Sequence, residues 1–90
     1  MAIVEISIVP IGTATTGVSR YVAEAVALLQ RSGLRHRLTP MGTVIEGDLR
    51  EIMPVVLDMH ESPFAKNAQR VYTVIKIDDR RDTATGPPLG

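Results

Sequence analysis

An α+β fold is what the sequence predicts, and three observations predict it. Four segments are rich in Val and Ile with the alternation of half-buried strands. Two further segments repeat apolar residues at helical spacing. Their order is strand-helix-strand, written twice. Two such halves make a ferredoxin-like βαββαβ sandwich, a four-stranded antiparallel sheet with two helices on one face. Right-handed crossovers put the first and third strands at its centre.

The first strand is expected at residues 2–10. Val4, Ile6 and Ile8 form a wholly apolar face for the helices, while Ile3, Glu5, Ser7 and Val9 make a mixed face. A glycine-bracketed, hydroxyl-rich loop follows, from Pro10 to Gly17. The first helix is expected from Val18 to Arg31, with Val18, Val22, Ala25, Val26 and Leu29 as its stripe and Tyr21 and Leu28 beside it. Thr16 or Ser19 can cap its start, since a hydroxyl oxygen accepts the orphan N–H groups of a first turn. Gly33 suits its end.

Residues 34–39 read as a second strand. Arg35 and Arg37 share one of its faces, a sign of an edge protected by charge. Pro40-Met41-Gly42 is short enough for a hairpin, and the third strand is expected from Thr43 to Gly47. Asp48-Leu49-Arg50-Glu51 has the form of a capping box opening the second helix. Ile52, Val55, Val56 and Met59 form the inward stripe there. Pro54 predicts a kink or a one-turn prelude, and Pro63 predicts the end of the helix. The last strand is expected from Arg70 to Ile77. Residues 1–80 read as a single domain, and residues 81–90, without periodicity, as a flexible tail.

Composition narrows the function. The chain has 90 residues and a formal net charge of zero, so a phosphate-tracking surface is not expected. Tyr21, Phe64 and Tyr72 are its only aromatic residues, too few for a base-stacking platform, and nucleic acid is an unexpected partner. The absence of cysteine excludes disulfides and thiolate-ligated metal. His36 and His60 stand apart from further ligands, so no metal site is predicted. Nor is any catalytic constellation, nucleophile elbow or phosphate loop visible, and no cofactor is implied. The N-terminus has neither a basic region nor a long apolar run, and a cytoplasmic protein without a membrane segment is expected.

The chemistry gathers at Pro40-Met41-Gly42-Thr43-Val44-Ile45-Glu46-Gly47-Asp48. Two glycines bracket a short apolar strand that carries one carboxylate. A carboxylate there must reach water, a partner or a ligand. Alternation leaves two choices: Thr43 and Ile45 share one face, or Val44 and Glu46 share it, so Thr43 and Glu46 point apart unless a bulge or turn intervenes.

Several runs together resemble the small thiamine-binding-protein family, related to the YkoF-type domain. They are Ile8-Val9-Pro10-Ile11-Gly12, Val18-Ser19, Gly33-Leu34, the run from Pro40 to Gly47, Arg70-Val71, and Lys76-Ile77-Asp78-Asp79-Arg80-Arg81-Asp82. The Met-Gly-Thr-Val-Ile-Glu-Gly run is the most specific of them. The resemblance implies the ferredoxin-like fold, a homodimer or homotetramer, and binding of thiamine or its hydroxymethylpyrimidine moiety without catalysis. Thiamine joins an aminopyrimidine to a cationic thiazolium. Its pocket calls for a carboxylate, hydroxyls and an apolar or aromatic wall. Glu46 and Glu5 are the candidate carboxylates, Thr43, Ser7 and Ser19 the hydroxyls, and Tyr72 the aromatic wall. Gly12 and Gly42 would permit close backbone approach. The alternative is an oligomeric structural or regulatory protein acting through protein partners, suggested by the mixed sheet face.

Overall fold

The structure is a computed structural model and describes residues 1–12 and 19–82, without the side chains of Ser19 and Arg20. Its elements are β1 (Ala2–Pro10), α1 (Ser19–Ser32), β2 (Arg35–Thr39), β3 (Gly42–Gly47), α2 (Leu49–Ala65) and β4 (Val71–Asp79). The strands form one four-stranded sheet in the order β2-β3-β1-β4, and every neighbouring pair is antiparallel. This is the ferredoxin-like arrangement, with β1 and β3 at the centre. The expected loop at residues 13–17, the start at Val18 and the cap at Thr16 lie outside the described residues, as does the tail from residue 83 onward.

Apolar alternation in β1 fixes the core. Val4 and Ile6 are buried on the helix side, and Ile45 of β3, Leu29 of α1 and Ile52, Val56 and Met59 of α2 pack with them. Burial of such side chains is the main favourable term in folding. The α1 stripe is rotated from its expected position. Tyr21 and Leu29 are buried and Ala25 and Leu28 pack on the core, whereas Val22, expected to point inward, is 51% exposed.

Helix α2 departs from expectation at Pro63, and no separate one-turn prelude precedes Pro54. It runs unbroken as one element through Pro54 and Pro63 to Ala65. Pro54 cannot bond the Arg50 carbonyl, but both residues are exposed, so water can serve that oxygen. Pro63 is buried in the last turn and deprives the Met59 carbonyl of its donor. The Ser62 hydroxyl replaces it, donating to that same oxygen at 2.8 Å. The true stop is Asn67, with φ 73°. There the Asn67 N–H reaches the Phe64 carbonyl at 3.1 Å and the Ala68 N–H reaches the Pro63 carbonyl at 3.0 Å. That is a Schellman motif with asparagine in the left-handed position. At the other end Asp48 caps as predicted, its carboxylate accepting the Arg50 N–H at 2.9 Å.

Candidate functional site

The β2–β3 hairpin settles which way β3 faces. Thr39 pairs with Gly42, leaving Pro40 and Met41 as the loop. The Thr39 hydroxyl donates to the Gly42 carbonyl at 2.8 Å and accepts the Met41 and Gly42 N–H groups at 3.2 Å. Gly42 lies so near β1 that a Cβ there would stand 2.9 Å from the Ile6 carbonyl oxygen. With the hairpin set, Thr43 falls opposite Ile6 and Ile45 opposite Val4, on the helix-covered face. Val44 falls opposite Glu5 and Glu46 opposite Ile3, on the open face.

The predicted site residues therefore divide. Glu46, Glu5 and Tyr72 all belong to the open face, together with the side chain of Ser7. Glu5 meets Lys76 there at 3.6 Å, and Tyr72 is 57% exposed. Arg35 and Arg37 flank this face from β2. Thr43 and Gly42 go to the other side. Gly12 sits just beyond β1 with φ 72°, a left-handed conformation that glycine tolerates. Ser19 is the first residue of α1, and its side chain lies outside the described residues.

On the covered face the structure holds a pocket of about 260 Å³ between the sheet, the hairpin and both helices. Ile6, Ile8 and Thr43 supply its sheet side, Tyr21 and Ala25 its α1 side, and Met59 its α2 side. Val22, Leu38 and Met41 also line it and are exposed. Ser7 and Gly42 border it as well. No charged side chain lines it among the described residues. Thr43 lends it a hydroxyl that makes no hydrogen bond among the described residues. The chemistry on offer is thus a small apolar cavity with a few hydroxyls, suited to orienting a flat neutral ring.

Sequence reasoning missed Tyr21 and Met59 as wall residues. It read Met59 as a core position and Tyr21 as flanking the α1 stripe, and both are buried, because helical spacing does not distinguish a residue beside a cavity from one in solid packing. A further polar contact escaped it: His60 Nδ1 of α2 meets the Thr73 hydroxyl of β4 at 2.7 Å, with Phe64 edge-on to the imidazole. Among the described residues no group of three or more His, Asp or Glu could hold a metal. Nor is any helix among them long and apolar enough to cross a membrane.

Fold and pocket together define a small ferredoxin-like domain with a cavity between its sheet and helices. The family model described as thiamine-binding protein matches residues 4–87, and the chain belongs to that family. The UPF0045 protein YqgV of Bacillus subtilis is 46% identical over 89 residues, covering 94% of this chain and 86% of its own. A UPF0045 protein of Methanothermobacter thermautotrophicus is 42% identical over 87 residues, covering 96% and 88%. Among solved structures, the DUF77 domain from Bacillus cereus matches with a TM-score of 0.83 at 30% identity, covering 94% of this chain and 81% of that one. The MJ1052 protein from Methanocaldococcus jannaschii matches with a TM-score of 0.78 at 36% identity, covering 91% and 82%.

Proposed function

We propose that the covered-face pocket binds thiamine or its hydroxymethylpyrimidine moiety, and that the protein is a non-catalytic carrier, buffer or sensor in the cytoplasm. The observation that carries this reading is the Thr43 hydroxyl in a pocket of about 260 Å³ whose lining is otherwise mainly apolar, in a chain of the thiamine-binding family. An aminopyrimidine is flat and neutral and carries both donors and acceptors, so it suits a hydroxyl set in apolar walls. The thiazolium is a cation, and an unpaired charge is costly to bury. With no carboxylate among the described lining residues, it belongs at the mouth, near the exposed Leu38 and Met41. Glu46 and Glu5 lie on the opposite face and have no contact with the ligand in this reading.

Isothermal titration with thiamine and with hydroxymethylpyrimidine tests it. Both ligands should release heat. Replacing Thr43→Val, which keeps the shape and removes the hydroxyl, should weaken binding up to about tenfold, the worth of one ordinary hydrogen bond. Replacing Glu46→Gln should leave affinity unchanged. Loss of binding in Glu46→Gln with binding kept in Thr43→Val would move the site to the open face. Silence from both ligands with folded protein would end the proposal. It would favour the second reading, a protein that acts through protein partners, which the exposed Val9, Tyr72 and Val74 of the open face support.

A further inference from the structure

Sulfur chemistry in this chain belongs to methionine alone. There is no cysteine, and the four methionines are Met1, Met41, Met53 and Met59. Two of them line the same pocket and differ sharply in access. Met59 forms its α2 wall and is 1% exposed, whereas Met41 stands at the hairpin tip and is 79% exposed. Met1 is exposed too but is not among the lining residues, and Met53 packs against the core. A dissolved oxidant therefore meets one sulfur of the pocket and not the other, since susceptibility follows exposure.

Met41 is held where its side chain matters. With Pro40 it makes the two-residue loop between β2 and β3. The Thr39 hydroxyl accepts the Met41 N–H at 3.2 Å and donates to the Gly42 carbonyl at 2.8 Å. Gly42 stands so close to the Ile6 carbonyl of β1 that the tip has no room to slide toward the sheet. The backbone is braced, so a chemical change at Met41 is felt at the mouth of the pocket. With Val22 and Leu38, each 51% exposed, Met41 makes that mouth apolar.

We infer that Met41 is a reversible oxidation site through which a hydroperoxide regulates the pocket, an inference that rests on the ligand reading given above. The thioether sulfur attacks one peroxide oxygen, and the O–O bond breaks. That oxygen stays on sulfur as the sulfoxide, and its proton passes to the departing oxygen, which leaves as water or an alcohol. Sulfur is oxidised by two electrons and the peroxide is reduced by two. A flexible apolar side chain becomes a polar one. The new oxygen is a strong acceptor, and neither Val22 nor Leu38 has a side-chain donor to answer it. Held at the mouth, it must keep its water where a ligand would close the opening, which is costly. Turned away on its rotatable bonds, it takes part of the apolar rim with it. Both outcomes weaken binding. Attraction between the sulfoxide oxygen and a thiazolium is the smaller effect, because even a full ion pair in the open is worth little. Methionine sulfoxide reductases restore the thioether, so the change can be undone.

The full chain is treated with increasing hydrogen peroxide, and peptide mass spectrometry follows the oxygen added at each methionine. Met41 and Met1 should take it up first while Met59 stays reduced. Isothermal titration then compares thiamine binding before and after. Oxidation of Met41 should weaken binding about three- to tenfold. The two methionine sulfoxide reductases with a dithiol should restore it, the oxygen leaving as water and the dithiol closing to a disulfide. Met41→Leu keeps the side-chain volume and removes the sulfur. Whatever its starting affinity, peroxide that still oxidises Met1 should not change it. A Met41 that stays reduced while Met1 is oxidised overturns the site, and equal affinity before and after oxidation of Met41 overturns the regulation. An equal loss on peroxide treatment of Met41→Leu overturns Met41 as its seat. An untreated chain that takes no thiamine ends the reading of the pocket and this inference with it, so the two failures are told apart.

Discussion

One residue step along β3 separates two unlike environments. Thr43 and Ile45 look into the space under the helices, where the pocket has no charged lining among the described residues. Val44 and Glu46 look onto a face that carries Glu5, Lys76, Arg35 and Arg37 and that neither α1 nor α2 covers. The covered face has a cavity and little polarity; the open face carries the charge. The lesson is that the carboxylates and the pocket of this chain are separate resources. Under the proposed function, ligand orientation would fall to the hydroxyls, and the charges are left for pairing at the surface.

The comparison breaks most sharply at Ile45. It is fully buried in the core cluster, and Ile45→Ala should cost about 2–5 kcal/mol through lost transfer energy and a residual cavity. Val44→Ala, one step away on the open face, should cost about 1 kcal/mol or less, the worth of a cross-strand pair. Urea unfolding of both variants checks the ratio. Equal losses would mean that the open face is as buried as the core, and so covered by another chain.

Gly42→Ala comes next. The added methyl would sit 2.9 Å from the Ile6 carbonyl oxygen, and backbone cannot swing aside as a flexible side chain can. Forcing β1 and the hairpin apart should cost about 1–3 kcal/mol, in the range of overpacked cores. The change also shifts Thr43, so ligand affinity should fall along with stability. A stable Gly42→Ala variant that binds normally would remove the hairpin from the site.

Ser62→Ala has a smaller effect, on the covered side alone. It removes the hydroxyl that serves the Met59 carbonyl in place of the N–H that Pro63 lacks. Since Ser62 is buried, the carbonyl is left without a partner, at a cost of about 1–2 kcal/mol. Restoring the donor with Pro63→Ala in the Ser62→Ala background should recover part of that loss, which a simple packing defect would not.

These sites also mark how far the sequence could be read. The order of elements, the central strands and the Asp48 cap were legible because periodicity and capping chemistry are local. The face occupied by Glu46 was not. Thr43-Val44-Ile45-Glu46 places apolar residues at both middle positions, so alternation fits either orientation. The choice was made by the hydroxyl-braced Thr39–Gly42 turn and by the register with β1, a contact distant in sequence. The end of α2 was misread because proline is a reliable breaker only when nothing compensates for it. Here the compensating serine directly precedes the proline, and Asn67 supplies the left-handed stop. The rotation of α1 was hidden because Val22 and Leu29 look alike in a helical stripe, and only the pocket beside Val22 distinguishes them.

The smallest predicted effect tests the open face directly. Glu5 and Lys76 stand 3.6 Å apart on neighbouring strands, with the lysine side chain 74% exposed. A pair so placed is screened by water and salt, and it must hold a long side chain still. A double-mutant cycle with Glu5→Gln and Lys76→Met should give a coupling of about 0.2–1 kcal/mol, falling as salt is added. The cycle is informative at both ends of its range. A weak, salt-sensitive coupling means that the face stays in water. A coupling well above about 1 kcal/mol that resists salt would mean that the pair is desolvated. Two sheets would then pack face to face. Measuring the coupling across a range of protein concentration separates these cases, because only face-to-face packing makes it rise.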